Sequence, residues 1–268
     1  RYGKSGYQVE MRYYLYSAGL ILLAIIIATV IPLVVELSEN ELVSLQIPLN
    51  NSNIDGIQKY SIPPVVGSLP VPAVSARAVF IEDLATNTIL YQKDANSPFP
   101  IASTTKIMTA LVGVEYFKQN SILTIGSSAN IPGSRVGLVS GEKLTFRSLL
   151  YGMLLNSGND AAFALAENYP GGVLGFVSAM NKKVLELNLR NTHFENPAGF
   201  DSPNHFSSAA DLAKITEEAL KNSQLARIFA TKETSIVSLD KKYSHQLLNL
   251  NKLLTQINGV LGVKTGTT

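Results

Sequence analysis

Residues Tyr13 to Val35 contain no charged side chain, and Leu20 to Ile27 is almost wholly aliphatic. No other feature restricts the chain as strongly. A surface helix needs a polar face, and this run is apolar all round, which argues against a core helix of a small domain. As a helix it is long enough to cross a hydrocarbon layer of about 30 Å. Tyr13, Tyr14 and Tyr16 lie at one end, where aromatic rings favour the interface. Arg1, Lys4 and Arg12 precede the run, while Glu36, Glu39, Glu41 and Asp55 follow it, and the next basic residue is Lys59. Basic residues stay on the cytoplasmic side, so residues 1–12 are expected inside and everything after Val35 outside. The expectation is a single-pass cell-membrane protein anchored by residues 13–35. A cleaved signal, leaving a secreted protein, is the alternative; its apolar core is usually shorter, and no small-x-small site follows Val35.

Residues 36–75 read as an extracytoplasmic linker. Asn50-Asn51-Ser52-Asn53, Pro63-Pro64, Pro70 and Pro72 break every helical or strand period there. What remains, residues 76–268, is enough for one good-sized domain. Its chemistry is bounded by composition. The chain has no cysteine, which removes disulfides, thiol nucleophiles and thiolate metal sites together, and fits a protein working outside the cytoplasm. A net charge of +2 gives no basic footprint for a nucleic-acid partner.

Within that domain, Ala78 to Asp83 and Ile89 to Lys93 read as a hairpin around Ala85-Thr86-Asn87. Apolar residues at Ile107, Leu111, Val114 and Phe117 predict a helix starting near Ser103. Gln119 to Lys143 is loop-rich. Phe146, Leu149, Leu150, Met153 and Leu154 predict a second helix capped by Thr145, ending at Asn156-Ser157-Gly158-Asn159. Ala161 to Glu167 is helical again, so Ser157 and Asn159 fall on a short connection. Further helices are marked by Phe176, Met180, Val184 and Leu187, and by Leu212, Ile215 and Ala219 after Ser207 or Ser208. Asn196-Pro197-Ala198-Gly199 reads as a turn, and Val260 to Thr267 as a strand against which a ligand lies closely.

Ser103 and Lys106, three apart at a helix start, share a face. A serine hydroxyl is a weak nucleophile until a base takes its proton, and a buried lysine kept neutral can be that base. Taken alone, the pair also reads as a helix N-cap with a solvated first-turn lysine. Ser238-Leu239-Asp240-Lys241 has the same spacing and is assigned no chemistry. Ser157 taken alone reads as a turn residue. His193, His205 and His245 show no metal-ligand spacing and read as structural or surface residues. Gly259 to Thr265 lacks the Gly directly before Lys that a phosphate-binding loop needs.

Three motifs nevertheless stand in a fixed order: Ser103-x-x-Lys106, Ser157-Gly158-Asn159 and Lys264-Thr265-Gly266. With Ala102 to Ala110, Asn156 to Ala162, Phe194 to Gly199, Asp211-Leu212-Ala213 and Gly262 to Gly266, the chain from Ala76 to Thr268 resembles the serine-type D-Ala-D-Ala carboxypeptidases. These are the low-molecular-mass penicillin-binding proteins. The resemblance implies an α/β fold of the α+β type: an antiparallel sheet covered by helices plus a helical subdomain carrying the Ser157 loop. It implies hydrolysis of the terminal D-Ala-D-Ala bond of peptidoglycan pentapeptides in cell-wall maturation, with β-lactams as covalent inhibitors and no cofactor or metal. Ser103 would be the acylated nucleophile, Lys106 its base and Ser157 the proton relay to the leaving amine. Asn159 would hold the substrate amide, Lys264 would supply positive charge, and Thr265 would bind the terminal carboxylate beside Gly266. The N–H groups of Ser103 and Thr267 would form the oxyanion hole. Family members continue past this point into further strands and a closing helix. The expectation is therefore a C-terminally incomplete domain that, as written, neither turns over substrate nor holds penicillin stably.

Two rivals remain. A class A β-lactamase needs a second base, commonly in an E-x-x-L-N segment; Glu186-Leu187-Asn188 lacks that spacing, and Gly158 replaces the usual Asp. A non-catalytic β-lactam sensor or wall-binding protein would use the same pocket, though the intact trio argues against a decayed site.

Overall fold

The computed structural model describes residues 73–267. The expected membrane segment 13–35, with residues 1–12 and most of the linker, lies outside them. Among the described residues no helix is long and apolar enough to cross a membrane.

The described chain opens with the hairpin β1 (Val79–Asp83) and β2 (Thr88–Lys93), paired antiparallel with a register shift at Ile81/Glu82. Asp83 closes its turn by accepting the Ala85 N–H at 2.8 Å. A 3₁₀ turn, Ala102–Thr105, then leads into α1 (Lys106–Tyr116). Every residue of α1 from Lys106 to Gly113 is buried, so this helix is the axis of the core rather than a half-solvated surface helix. Gly113 lets the Phe146 ring lie directly on it, since a Cβ there would sit 3.1 Å from the ring. Phe146 belongs to α2 (Phe146–Leu155), and Thr145 caps that helix as the sequence predicts, accepting the Ser148 N–H at 3.1 Å.

Four more helices close around this pair: α3 (Asn159–Glu167), α4 (Gly172–Glu186), α5 (Ala209–Leu220, capped by Ser208) and α6 (Ser223–Phe229, capped by Asn222). Met108, Leu149, Met153, Phe176, Met180, Ile215 and Phe229 bury their side chains between them. The loop-rich stretch carries one short antiparallel pair, β3 (Ile122–Thr124) with β4 (Lys143–Thr145). A second hairpin, β5 (Glu233–Val237) with β6 (Ser244–Leu248), and a short helix α7 (Leu253–Gln256) follow.

Two expectations about strands need correcting. The described β-structure is three separate two-stranded antiparallel sheets, not one sheet covered by helices. Residues 261–267 form no strand. The physical reason for the second is that a strand exists through the ladder it makes, and among the described residues no backbone N–H from Leu261 to Thr267 donates to a partner.

The junction between α2 and α3 is fixed by Asp160, whose side chain is wholly buried. Its Oδ1 accepts the N–H groups of Val136 (3.0 Å) and Ala161 (2.9 Å), and its Oδ2 those of Gly137 (2.9 Å) and Leu138 (3.1 Å). A carboxylate suits four donors because it accepts on both oxygens. Asp160→Asn must turn an NH₂ towards two of them in either orientation. We predict a stability loss of about 1–3 kcal/mol for each stranded donor, read as a lowered urea midpoint; a midpoint equal to wild type would contradict it.

Candidate active site

The 3₁₀ turn brings Ser103 to the surface of a cleft and leaves Lys106 inside, with no exposed area. The Lys106 Nζ lies 2.6 Å from Ala198 O, 2.8 Å from Asn159 Oδ1 and 2.9 Å from Ser103 Oγ. Burial, followed by the positive charge of Lys264, pushes its pKa down to about 7, while Asp160 pulls the other way. A neutral amine has two hydrogens and one lone pair. Ala198 O and Asn159 Oδ1 can only accept, so they take the two hydrogens. The Asn159 amide is oriented by its other end, where Nδ2 donates to Pro132 O at 2.8 Å. The lone pair is left for the third neighbour, the Ser103 hydroxyl. Accepting that proton is what an activated serine requires.

Asn159 is the first residue of α3. Its N–H donates to Ser134 O at 2.7 Å, and the left-handed Gly133 passes so close that a Cβ would lie 2.7 Å from Asn159 Nδ2. Ser157 sits on the α2–α3 connection in the left-handed region (φ 57°), buried, and its hydroxyl makes no hydrogen bond among the described residues. Ser103, Asn159, Gly133, Ser134 and Thr267 line one cleft of about 240 Å³. Gly266 runs past the 3₁₀ turn, where a Cβ would be 3.3 Å from Ile101 O. Lys264 donates to Thr265 O at 2.8 Å, and burial lowers its pKa to about 8, so it stays mainly cationic at neutral pH. Thr265 makes no hydrogen bond to Ser103, Lys106 or Asn159 among the described residues. A larger cavity of about 840 Å³ lies on the other side of the turn, beside Arg77, Phe99 and Leu212; it contains no nucleophile–base pair.

Three contributors were not singled out from sequence. Ala198 offers only a backbone carbonyl, and its one signal was the turn it belongs to. Asn196 Oδ1 builds that turn by accepting the N–H groups of Ala198, Gly199 and Phe200. Asp160 fixes the cleft wall, and its position in the first turn of α3 was the available signal. Among the histidines, His205 is buried and hydrogen-bonded to Thr105, His245 is half-buried and hydrogen-bonded to Glu142, and His193 is at the surface. Among the described residues no three His, Asp or Glu side chains gather as metal ligands.

A serine hydroxyl beside a buried lysine amine of lowered pKa at a helix start, on a mixed α/β fold with small antiparallel sheets, places the chain with proteins that carry such a serine–lysine pair. The chain belongs, within that class, to the D-alanyl-D-alanine carboxypeptidase family, whose model matches residues 66–268. The D-alanyl-D-alanine carboxypeptidase DacF of Bacillus subtilis is 38% identical over 203 residues, which is 73% of this chain and 52% of that protein. The D-alanyl-D-alanine carboxypeptidase of Streptomyces sp. strain K15 is 36% identical over 213 residues, 73% of either chain. The crystal structure of the Streptomyces K15 DD-transpeptidase matches with a TM-score of 0.68 at 34% identity, over 75% of this chain and 83% of that one. The chain thus spans about half the length of the Bacillus relative.

Because the Lys264 charge helps hold Lys106 neutral, Lys264→Ala should raise the Lys106 pKa above 7, and Lys264→Arg should not. Burial is the larger cause and persists, so the amine should still titrate well below 10.5. An NMR titration of the Lys106 side chain reads both variants; an unmoved midpoint in Lys264→Ala would remove Lys264 from the site's electrostatics.

Proposed function

We propose that the protein hydrolyses the terminal D-Ala-D-Ala bond of peptidoglycan pentapeptide stems through an acyl-enzyme on Ser103, in cell-wall maturation. The observation that carries this is the buried Lys106 Nζ 2.9 Å from Ser103 Oγ, with its other two neighbours, Asn159 Oδ1 and Ala198 O, able only to accept. Lys106 takes the hydroxyl proton as Ser103 Oγ bonds to the carbonyl carbon of the penultimate D-alanine. The N–H groups of Ser103 and Thr267 receive the negative oxygen. The C–N bond then breaks, and the proton passes through Ser157 to the departing D-alanine amine. Water completes the cycle by attacking the ester. Asn159, on the cleft wall, holds the substrate amide; Lys264 and Thr265 attract its carboxylate, and Gly266 lets the peptide lie close to the backbone. A β-lactam ring imitates the scissile amide and leaves an ester that hydrolyses slowly.

In the native-length protein, labelled penicillin should attach to Ser103, and D-alanine should be released from pentapeptide. Ser103→Ala should lose both. Lys106→Arg keeps the charge but cannot act as a base, so acylation should fall by about 10²–10⁴-fold. Label on Ser103→Ala would overturn the nucleophile; near-native acylation of Lys106→Arg would overturn the base.

The charge asymmetry around residues 13–35 supports a retained anchor with the catalytic domain, residues 76–268, outside the cell membrane. Protease added to intact spheroplasts should then remove that domain. Full protection would reverse the topology.

A further inference from the structure

The base is held by a backbone carbonyl on a loop remote in sequence, and something must hold that loop against α1. Two contacts do so directly: Lys106 to Ala198 O, and Thr109 Oγ1 to Pro197 O at 2.6 Å. The third is indirect. His205, buried outside the catalytic cleft, accepts the Glu195 N–H on Nδ1 at 3.1 Å, and Asn196 Nδ2 approaches the same nitrogen at 3.4 Å. Since Nδ1 faces donors, the ring proton is on Nε2, which then donates to Thr105 Oγ1 at 2.7 Å. Thr105 is the last residue of the nucleophile turn, directly before Lys106. One imidazole therefore bridges the start of the 195–199 loop and the base's own neighbour.

The surfaces it joins are pressed together. A Cβ on Gly199 would collide with Ala102 O, and Ala102 itself is left-handed (φ 46°). Such a turn persists only where its surroundings over-determine it. The Phe194 ring meets the imidazole edge-on with centroids 5.6 Å apart, and burial lowers the His205 pKa to about 4. Of the charges around it, Glu195 and Asp201 favour protonation and His193 opposes it; Lys106 directs its amine to Ser103, Asn159 and Ala198 instead. The imidazole is thus neutral at pH 7, as a donor–acceptor bridge requires.

We infer that His205 is a positioning residue: by bridging Glu195 N–H and Thr105 Oγ1 it clamps the 195–199 loop onto the nucleophile turn, keeping Ala198 O on the Lys106 amine and water away from it. This rests on Lys106 being the base proposed above, but its test does not depend on turnover. Loosening the clamp admits water, which restores solvation of the ammonium and raises the Lys106 pKa.

The Lys106 side chain is titrated by NMR in the native-length protein, beside a penicillin acylation assay. His205→Phe fills the space without either hydrogen bond and should move the Lys106 midpoint from about 7 upward by a unit or more. Acylation at pH 7 should then fall at least tenfold. His205→Gln can accept with its oxygen and donate with its nitrogen, and should keep the wild-type midpoint. Thr105→Val removes only the acceptor, should act like His205→Phe, and decides the matter if the phenylalanine variant does not fold. Unmoved midpoints in both folded variants would overturn the clamp whatever the acylation rates. Midpoints that move as stated in a protein that never takes up penicillin would support the clamp and sink the enzymatic reading instead.

Discussion

One amine, with no exposed area and three oxygen neighbours within 2.9 Å, sets the terms for the rest of this structure. Its partners come from three places in the chain: three, 53 and 92 residues away. Placing such groups to hydrogen-bond tolerance takes rigid carriers. Ser103 is held by the turn that opens α1, Asn159 by the first turn of α3, and Ala198 by a loop wound around one asparagine side chain. The helical packing around α1 is therefore part of the site's geometry.

The supports share a design. Each is a polar side chain bonded to backbone groups: Asp160 accepts four N–H donors, Asn196 accepts three, and Asn159 donates from Nδ2 to Pro132 O while its Oδ1 meets the Lys106 amine. Such groups have strict direction, unlike apolar packing, so a small displacement forfeits the bond. Cleft walls made this way fix loop positions without regular secondary structure. That is how a segment as irregular as 131–142 can present Gly133 and Ser134 to Asn159.

Side-chain periodicity and cap chemistry were legible in the sequence, and so were the helices they produce. The α2 helix, its Thr145 cap, the β1–β2 hairpin turn and the Asn196 turn all follow from residues local to them. The order of three motifs pointed to the family. Three things were not legible. A backbone carbonyl is present at every residue, so nothing about Ala198 announces an acceptor for Lys106. The roles of Asp160 and His205 depend on loops 22 to 24 and 100 residues away. The Val260–Thr267 run has the composition of a strand, but a strand is a relation between two segments, and composition describes only one of them.

Keeping the amine neutral has a thermodynamic consequence. A pKa lowered from 10.5 to about 7 corresponds to roughly 5 kcal/mol, comparable with the whole stability of a small domain, about 5–15 kcal/mol. The sign follows from linkage. Between about 7 and 10.5 the unfolded chain holds a proton that the folded one has released, so stability rises with pH across that window. Below about 7 both states are protonated and the full penalty stands. The fold thus carries nearly all of this cost at the pH where the site would work. The apolar layers around α1, from Met108 and Phe146 to Phe176 and Met180, are what offset it. Burial is the larger part of that cost; letting water reach Lys106 would relieve it, and water would return the proton that its lone pair must lack to meet Ser103. Lower stability and an amine of lowered pKa are, at this position, largely two readings of the same burial.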